Sequence, residues 1–384
     1  MFLLRHCLIF TAIANCRSSS SIRFDPVVEM EVVLWEHEVR PSELITYRTP
    51  IIAPRNDGGL IAISEVHSNN SDQTQFLTLA HSKDGEQWFT DNRLVFTNSS
   101  HSTHGVNLGQ IMNNKEDGTV ILFCSRFDQV SNMSATYLIR SHDNGKTWDD
   151  PIDLSDVGDE QMPVFTPGPG QAVKIEQNAV CEGRIVSCGH SVVDDDAVVC
   201  IYSNDNGITW KAGAKLPAIP YKEKKYVGDF DPGSNQAVEL NDGTIFFTIT
   251  NKLQYHSHSR ILAQSTDCGQ SINLESVCIK NILPDPASIA GMVYLNDYNL
   301  LLHSNALNGR EDINMFLNWS YDNGATWSSH DRVQVWPGAS GASCLTAIPG
   351  RPNYVGLLYE KGDLDRYDAV SFALINLQPR WEDV

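Results

Sequence analysis

Two pairs of closely spaced histidines are the side chains in this sequence that could bind a metal ion. His256 and His258 alternate in the segment YHSHSR, so both would point to the same side of a strand. His101 and His104 form a similar pair in SSHSTHG. Zinc sites use three or four protein ligands, and neither pair has a third ligand in view. We therefore interpret these histidines as structural and expect neither a metal nor another cofactor.

Other local signatures of chemistry are missing from the sequence. No G-x-S-x-G, H-E-x-x-H or P-loop pattern occurs. The formal net charge of -19 argues against nucleic acid and anionic membrane surfaces as partners. Any reactive or binding site must therefore be assembled from residues far apart in the chain.

A short motif recurs at intervals of roughly 60 residues, which indicates a repeat architecture. A worn copy, SKDGEQW, begins at Ser82. The four full copies are SHDNGKTW (Ser141–Trp148), SNDNGITW (Ser203–Trp210), STDCGQSI (Ser265–Ile272) and SYDNGATW (Ser320–Trp327).

The motif predicts a tight turn that closes a hairpin. Its Asp accepts hydrogen bonds from nearby backbone N–H groups, and its Gly takes the left-handed conformation. An apolar strand precedes each copy, and short alternating strands fill the rest of the chain. We expect an all-β fold, a six-bladed β-propeller of four-stranded antiparallel blades.

The first 16 residues read as a signal peptide, with Arg5 and His6 before an apolar stretch that is too short to span a membrane. Residues 17–40 are interpreted as a lead-in and residues 41–384 as one propeller domain. We expect a secretory route, to the lysosomal lumen or outside the cell, and no transmembrane segment. Four N-x-S/T sequons are compatible with that route, at Asn69, Asn98, Asn132 and Asn318.

The nine cysteines allow disulfides, but their pairing does not follow from the sequence. Two of the nine, Cys7 and Cys16, lie in the predicted signal peptide, so an odd number remains after cleavage.

Several blocks resemble the sialidases, and the animal lysosomal sialidase most closely. The motif described above is the Asp box of that family. The further blocks are YRTP (Tyr47–Pro50), GGLIAISE (Gly58–Glu65), PGPG (Pro167–Gly170), GRIVSCGH (Gly183–His190), DFDP (Asp229–Pro232), YHSHSR (Tyr255–Arg260), WPGASG (Trp336–Gly341) and LLYEKG (Leu357–Gly362). The resemblance implies release of terminal sialic acid from glycoproteins, oligosaccharides or gangliosides, without a metal.

The resemblance also implies a set of six functional groups. Three arginines hold the sugar carboxylate, an Asp is the acid/base, and a Tyr paired with a Glu replaces the usual carboxylate nucleophile. Arg48 falls on the first arginine and Asp72 on the acid/base. The family's remaining four groups are replaced in this chain, by Ser234 (the Glu), Thr250 and Asp312 (the second and third arginines) and Ala342 (the Tyr).

Neighbouring residues are candidates to compensate for these replacements. Arg310 lies two residues before Asp312, on the same face of a predicted strand, and Lys252 lies two residues after Thr250. Glu239 and Tyr359 are expected to have structural roles.

Three functional hypotheses stay open. The first is an exo-α-sialidase with a rearranged site. The second, which we favour, is a sialidase fold that hydrolyses weakly or not at all and binds a sialylated or related glycan, or regulates another protein. The third is a glycosidase for a different sugar, because Asp312 suits a neutral or cationic ligand. The resemblance also makes a protective partner protein or self-association an expectation.

Overall fold

The structure is a computed structural model that describes residues 21–41, 43–68, 71–94, 105–128, 133–157, 165–191, 197–218, 232–252 and 258–382. Short alternating apolar segments bounded by Gly, Asn and Asp turns form strands throughout these ranges. The first half contains β1 (Ser21–Arg23), β2 (Val27–Glu36), β3 (Glu38–Arg40), β4 (Glu43–Pro54), β5 (Leu60–Ser68), β6 (Ser71–Ser82), β7 (Trp88–Leu94), β8 (Val106–Asn114), β9 (Thr119–Asp128), β10 (Met133–Ser141), β11 (Ile152–Asp153), β12 (Thr166–Pro167), β13 (Gly170–Gln171), β14 (Val173–Lys174) and β15 (Ile185–Ser191).

The second half continues the same pattern. Its strands are β16 (Ala197–Ser203), β17 (Lys211–Pro217), β18 (Pro232–Glu239), β19 (Ile245–Asn251), β20 (Ser259–Ser265), β21 (Asn273–Pro284), β22 (Gly291–Leu295), β23 (Leu300–Ala306), β24 (Ile313–Ser320), β25 (Arg332–Ala347), β26 (Tyr354–Gly362), β27 (Ala369–Asn376) and β28 (Arg380–Glu382). Two single turns of 3₁₀-helix, Ser155–Val157 and Asn296–Tyr298, interrupt the strands.

The strands form an all-β, propeller-like fold. Four sheets of the described chain have the size of a propeller blade, in the orders β3-β4-β5-β6-β7, β11-β10-β9-β8-β13, β12-β15-β16-β17 and β18-β19-β20-β21. Most neighbours within a sheet are consecutive in the chain and antiparallel, as expected of hairpin-connected blades. Two pairings in these four sheets are exceptions: β13 pairs with β8 in parallel, and β12 pairs with the non-consecutive β15.

A fifth, seven-stranded sheet corrects the predicted blade count. Its order is β2-β27-β26-β25-β24-β23-β22. The 16-residue strand β25 pairs with β24 through its first half and with β26 through its second half. The prediction of six separate four-stranded blades is therefore wrong, because one long strand joins the last two expected units into a single sheet.

The N-terminal segment is part of the fold. β1 pairs with β28, and β2 pairs with β27 over most of its length. The first described strands, which lie in the predicted lead-in, thus hydrogen-bond to the last ones. The predicted signal peptide lies outside the described residues.

The repeated motif forms the turn predicted for it. In the copy at Ser141–Trp148, Asp143 accepts hydrogen bonds from the backbone N–H of Lys146 and Thr147, and the Ser141 hydroxyl accepts one from Gly145 N–H. Gly145 has φ of 87°, and the indole N–H of Trp148 donates to its carbonyl. The motif is a structural turn, as expected.

The apolar core lies between adjacent sheets. Ile61 of β5, Leu122 of β9 and Phe372 of β27 are fully buried in one cluster, so side chains of three different sheets pack together. Two disulfides join Cys181 to Cys268 and Cys188 to Cys200.

Candidate functional site

The candidate site is built on two irregular strands. β4 is interrupted by a bulge between Arg48 and Ile51, where Thr49 takes the left-handed conformation with φ of 54°. β25 has a second bulge, between Ser340 and Ser343, which contains Ala342. Bulges bend a strand and redirect its side chains, and they are frequent next to functional sites.

Glu360 of β26 connects the two bulges. Its carboxylate accepts hydrogen bonds from Thr49 N–H at 3.0 Å and from Ala342 N–H at 2.9 Å. The residue is only 2% exposed. Burial raises the pKa of Glu360, against the opposing effects of Arg366 and the two N–H donors.

Arg366, in the loop between β26 and β27, binds two carboxylates. Its Nη1 lies 3.0 Å from Asp312 Oδ2, and its Nε lies 3.6 Å from Glu360 Oε2. Burial raises the pKa of Asp312, although Arg366 opposes the rise. For Arg366, burial disfavours the charge, but Glu360, Tyr367 and Asp312 together raise its pKa. We call Asp312, Glu360, Arg366 and Tyr367 the Arg366 cluster.

Arg48 contacts this cluster through an aromatic ring. Its guanidinium carbon lies 4.1 Å from the centre of the Tyr367 ring, and that of Arg366 lies 4.7 Å from the same ring. Arg48 Nε donates to Thr46 Oγ1 at 3.2 Å. Among the side chains that the structure describes, no carboxylate forms an ion pair with Arg48. Within the described residues, Arg366 is thus paired with carboxylates and Arg48 is not.

A second buried carboxylate lies behind Thr49. Glu65 accepts hydrogen bonds from Leu108 N–H at 2.6 Å and from the Thr49 hydroxyl at 3.1 Å. Its other close partner is His67, whose Nε2 lies 2.9 Å from Glu65 Oε2. Thr49 therefore links Glu65 to Glu360, and these contacts fix the backbone next to Arg48.

The predicted acid/base, Asp72, belongs to β6, next to the bend that joins β6 to β5. The register pairs Ser68 with Ser71 and His67 with Thr74, so the backbone at residue 72 lies at the same end of these strands as Glu65. The Asp72 side chain lies outside the described residues, and its role stays a prediction.

The four replaced family positions divide into two groups. Asp312 is a member of the Arg366 cluster, and Ala342 N–H donates to Glu360 of the same cluster. Ser234 is half-buried at a bulge of β18, and Thr250 is buried in β19. Within the described chain, no hydrogen bond or ion pair connects Ser234 or Thr250 to the cluster. A Cβ atom on Gly233 would lie 2.5 Å from Thr250 Oγ1, so this side of the site is tightly packed.

Arg310 does not take the place predicted for it. It lies in an exposed turn before β24 rather than on a strand, and its backbone N–H donates to Asn308 Oδ1.

Glu239 and Tyr359, which are expected to have structural roles, both bind other parts of the fold. Glu239 accepts three hydrogen bonds from the backbone N–H groups of residues 176–178, and the buried Tyr359 hydroxyl donates to Glu31.

Asn318 is a poor glycan acceptor in the folded chain. It is 3% exposed in β24, and its amide donates to the His303 carbonyl and to Asn305 Oδ1. A glycan on that nitrogen would have to displace these buried neighbours, so the structure contradicts this predicted modification. The other three sequons, at Asn69, Asn98 and Asn132, lie outside the described residues.

Sequence reasoning missed Glu360, Arg366 and Tyr367. The signal was present in part: LLYEKG places a Glu inside an apolar strand, and DLDRYD follows it directly. A charged residue within a buried strand requires a partner, which points to an interaction at Glu360. Nothing local indicates that the partners are Thr49 and Ala342, which come from other strands.

A separate cavity of about 250 Å³ lies at the other end of the inner strands. Its lining includes Pro54, the last residue of β4, and Glu239, the last residue of β18. Pro54 is six residues from Arg48, which is about 20 Å along a strand. Two lysines at this end are paired, Lys115 with Glu176 and Lys174 with Glu116. The cavity is therefore distinct from the candidate site.

Within the described ranges, no three His, Cys, Asp or Glu side chains are grouped so that they could hold a metal ion. A search of the same residues finds no helix with the length and apolar character needed to cross a membrane.

Comparisons with known proteins agree with this architecture. A family model described as "BNR repeat-like domain" matches residues 70–343. A sialidase of Micromonospora viridifaciens is 33% identical over 177 residues, which cover 44% of this chain and 24% of the relative. A sialidase of Bacteroides fragilis is 23% identical over 348 residues, which cover 82% of this chain and 60% of the relative. The chain thus spans less than two thirds of the length of each of these relatives.

Solved structures show the same fold. The Hadza microbial sialidase Hz136 superposes with a TM-score of 0.69 at 20% identity, over 87% of this chain and 66% of that one. The chain belongs to the BNR repeat-like domain family.

Proposed function

We propose that this protein recognises a terminal sialic acid, or a closely related acidic sugar, through Arg48, and that it hydrolyses this ligand weakly or not at all. One observation carries the proposal. Ala342 stands where the resemblance places the nucleophilic Tyr, and its backbone N–H is held by Glu360 at 2.9 Å. A methyl side chain can neither attack the sugar nor exchange a proton.

The retained Arg48 supports recognition. It is half-buried, it is stacked on Tyr367, and no described carboxylate pairs with it. A planar guanidinium can hold a carboxylate through two parallel hydrogen bonds, and stacking on the ring fixes its orientation.

The replaced arginines support weak chemistry. Each lost charge-assisted contact costs about 1.5 to 3 kcal/mol, so the changes at Thr250 and Asp312 together remove about 3 to 6 kcal/mol of carboxylate binding. Catalytic groups that act as a unit are not additive, so loss of the nucleophile alone is enough to suppress the usual covalent route.

A second candidate function is an exo-α-sialidase with a rearranged site, and Tyr367 favours it. The Tyr367 hydroxyl accepts a hydrogen bond from Arg366, and its ring lies beside Arg48, so a phenol is present near the retained arginine.

A third candidate function is a glycosidase for a neutral or cationic sugar. Asp312 and Glu360 favour it, because two carboxylates converge on the single guanidinium of Arg366.

The finer family assignment is part of the same proposal. The quoted sequence blocks support a kinship with the animal lysosomal sialidase, and with it a secretory or lysosomal location and a protective partner or self-association. Expression of the full chain in animal cells tests the location. We expect the N-terminal 16 residues to be removed and the protein to lose mass on treatment with an N-glycosidase. An unprocessed protein in the cytosol would contradict this assignment.

Calorimetric titration with 3′-sialyllactose, beside lactose as the neutral control ligand, tests recognition. Wild-type protein should bind the sialylated sugar and not lactose. Arg48→Ala should weaken binding at least tenfold, because a charge-assisted pair is lost. Arg310→Ala is the matched control and should leave the affinity unchanged. Equal affinities for both sugars, or an Arg48→Ala variant that binds as the wild type does, would contradict the proposal.

A further inference from the structure

Arg366 is the one other described arginine that contacts the ring stacked on Arg48. Its guanidinium carbon is 4.7 Å from the Tyr367 ring centre, against 4.1 Å for Arg48. One aromatic side chain therefore contacts both cations. Neither the family resemblance nor the replaced positions assign a role to Arg366, because it comes from the loop between β26 and β27.

The charge of Arg366 is not free for a ligand. Asp312 lies 3.0 Å from Nη1, and its side chain is 38% exposed. Glu360 lies 3.6 Å from Nε, but its side chain is 3% exposed and it also holds two backbone N–H groups. Of the two carboxylates, Asp312 is thus the one that solvent protons reach and the one whose loss leaves the bulges intact.

Resting on the proposed function, we infer that Arg366 is a second ligand-binding arginine and that the ion pair with Asp312 withholds it until Asp312 is protonated. An acidic sugar then binds between Arg48 and Arg366 at low pH and by Arg48 alone at neutral pH. The site is therefore a pH-dependent receptor for an anionic sugar.

The pKa shifts in the Arg366 cluster agree with tighter binding of an anion at low pH. The pKa values of Asp312 and Glu360 are both raised, mainly by burial, so both groups take up protons at a higher pH than ordinary carboxylates. A free α-carboxylate has an ordinary pKa of about 3.3 to 3.7, so a sugar acid stays ionised while Asp312 becomes neutral. Affinity for the anion should consequently rise as the pH falls towards about 5.

The other described groups near Arg366 do not change the assignment of Asp312 as the carboxylate that withholds Arg366. On neighbouring elements, the Ser288 hydroxyl lies 3.5 Å from Nη1, and Gly341 of β25 is packed against the side chain. Glu65 binds Thr49 and His67 instead, and Asp285 pairs with Arg260. On the loop itself, Asp363 and Asp365 are exposed, and Asp368 lies 3.7 Å from His37.

Calorimetric titration with 3′-sialyllactose at pH 7.5 and pH 5.0 tests the inference. Wild-type protein should bind about tenfold more tightly at pH 5.0, because the fraction of protein with a free Arg366 rises. Asp312→Asn should bind about tenfold more tightly than wild type at pH 7.5 and respond little to pH. Glu311→Gln, an exposed neighbour with the same charge change, is the matched control and should behave as wild type.

Arg366→Gln, alone and combined with Asp312→Asn, completes the test. The double variant should bind with the weak, pH-independent affinity that Arg48 alone provides, and Arg366→Gln alone should bind no more tightly than the double variant at pH 7.5. Thermal unfolding shows whether each variant is folded, and an NMR titration of the Arg366 Nη1 signal in ligand-free protein reads the ion pair with Asp312. That signal should shift between pH 7.5 and 5.0 in wild type and not in Asp312→Asn.

The outcomes separate the inference from the proposed function. Binding that is the same at both pH values, or an Asp312→Asn variant that binds no better at pH 7.5, overturns the inference alone. A wild-type protein that binds the sialylated sugar at neither pH overturns the proposed function as well.

Discussion

The carboxylate of Asp312 lies 3.0 Å from the guanidinium of Arg366. Asp312 stands where the family resemblance places a ligand-binding arginine, and a different arginine from a distant loop now lies against it. Arg366 supplies a positive charge on this side of the site, and the ion pair with Asp312 neutralises that charge. This relationship underlies both the proposed weak chemistry and the predicted response to pH.

Glu360 should be essential for the shape of the site. Glu360→Ala removes the acceptor of two buried backbone N–H groups, at Thr49 and Ala342. Each unsatisfied group costs about 1 to 3 kcal/mol, so we expect a loss of about 2 to 6 kcal/mol in the free energy of unfolding, measured in urea. Glu86→Ala is the control, because Glu86 pairs with Arg351 on the surface and should contribute less than about 1 kcal/mol. Equal losses in the two variants would contradict this role.

Replacing Thr49 by glycine should destabilise the fold less than replacing it by alanine. Its φ of 54° is unfavourable for any residue with a Cβ atom, and most of all for a β-branched one. Both replacements lose the hydrogen bond to Glu65, but only glycine relieves the backbone. Thr49→Gly should therefore be about 1 kcal/mol more stable than Thr49→Ala in urea unfolding.

Thr46, in the same strand, has an ordinary φ and is the matched control for that comparison. There the alanine variant should be the more stable one, by about 0.5 to 1 kcal/mol. The same order at both positions would show that the left-handed conformation of Thr49 does not matter for stability.

The repeated turns should make the fold sensitive to acid. Hydrogen bonds from the Thr209 hydroxyl and backbone lower the pKa of Asp205 to about 2, from an ordinary value of 3.8. A carboxylate with a lowered pKa stabilises the fold above its ordinary pKa, and this contribution is lost as the pH falls through the folded value. The stability difference between wild type and Asp205→Asn should therefore shrink between about pH 4 and pH 2, as measured by urea midpoints.

Asp297→Asn is the control for that series, since Asp297 is an exposed carboxylate outside the repeated turns. Its difference from wild type should stay small at every pH. If the gap for Asp205→Asn stayed constant from pH 6 to pH 2, the Asp205 hydrogen bonds would not be the source of the acid sensitivity.

The sequence predicted those parts of the molecule that depend on local contacts. The turn at Ser141–Trp148 is determined by residues within eight positions, and the structure reproduces its hydrogen bonds. The contact between Thr49 and Glu360 joins residues 311 positions apart, and no periodicity carries that information. For the same reason Arg366 was missed, whereas Arg310, close in sequence to Asp312, was wrongly expected on a strand face.

The blade count failed for a related reason. The prediction of six blades divided the length of the chain by the repeat spacing of roughly 60 residues, and it treated each unit as a separate blade. β25 serves two units at once, and this depends on the length of a single strand rather than on any turn.

Hydrolysis of a fluorogenic α-sialoside from about pH 4 to 7 tests the central claim most directly, on the same protein preparation that is used for binding. We expect binding of 3′-sialyllactose and no turnover above that of an Asp72→Ala control. Turnover that disappears in Asp72→Ala would show a working hydrolase and would contradict the account of a site that recognises its ligand without cleaving it.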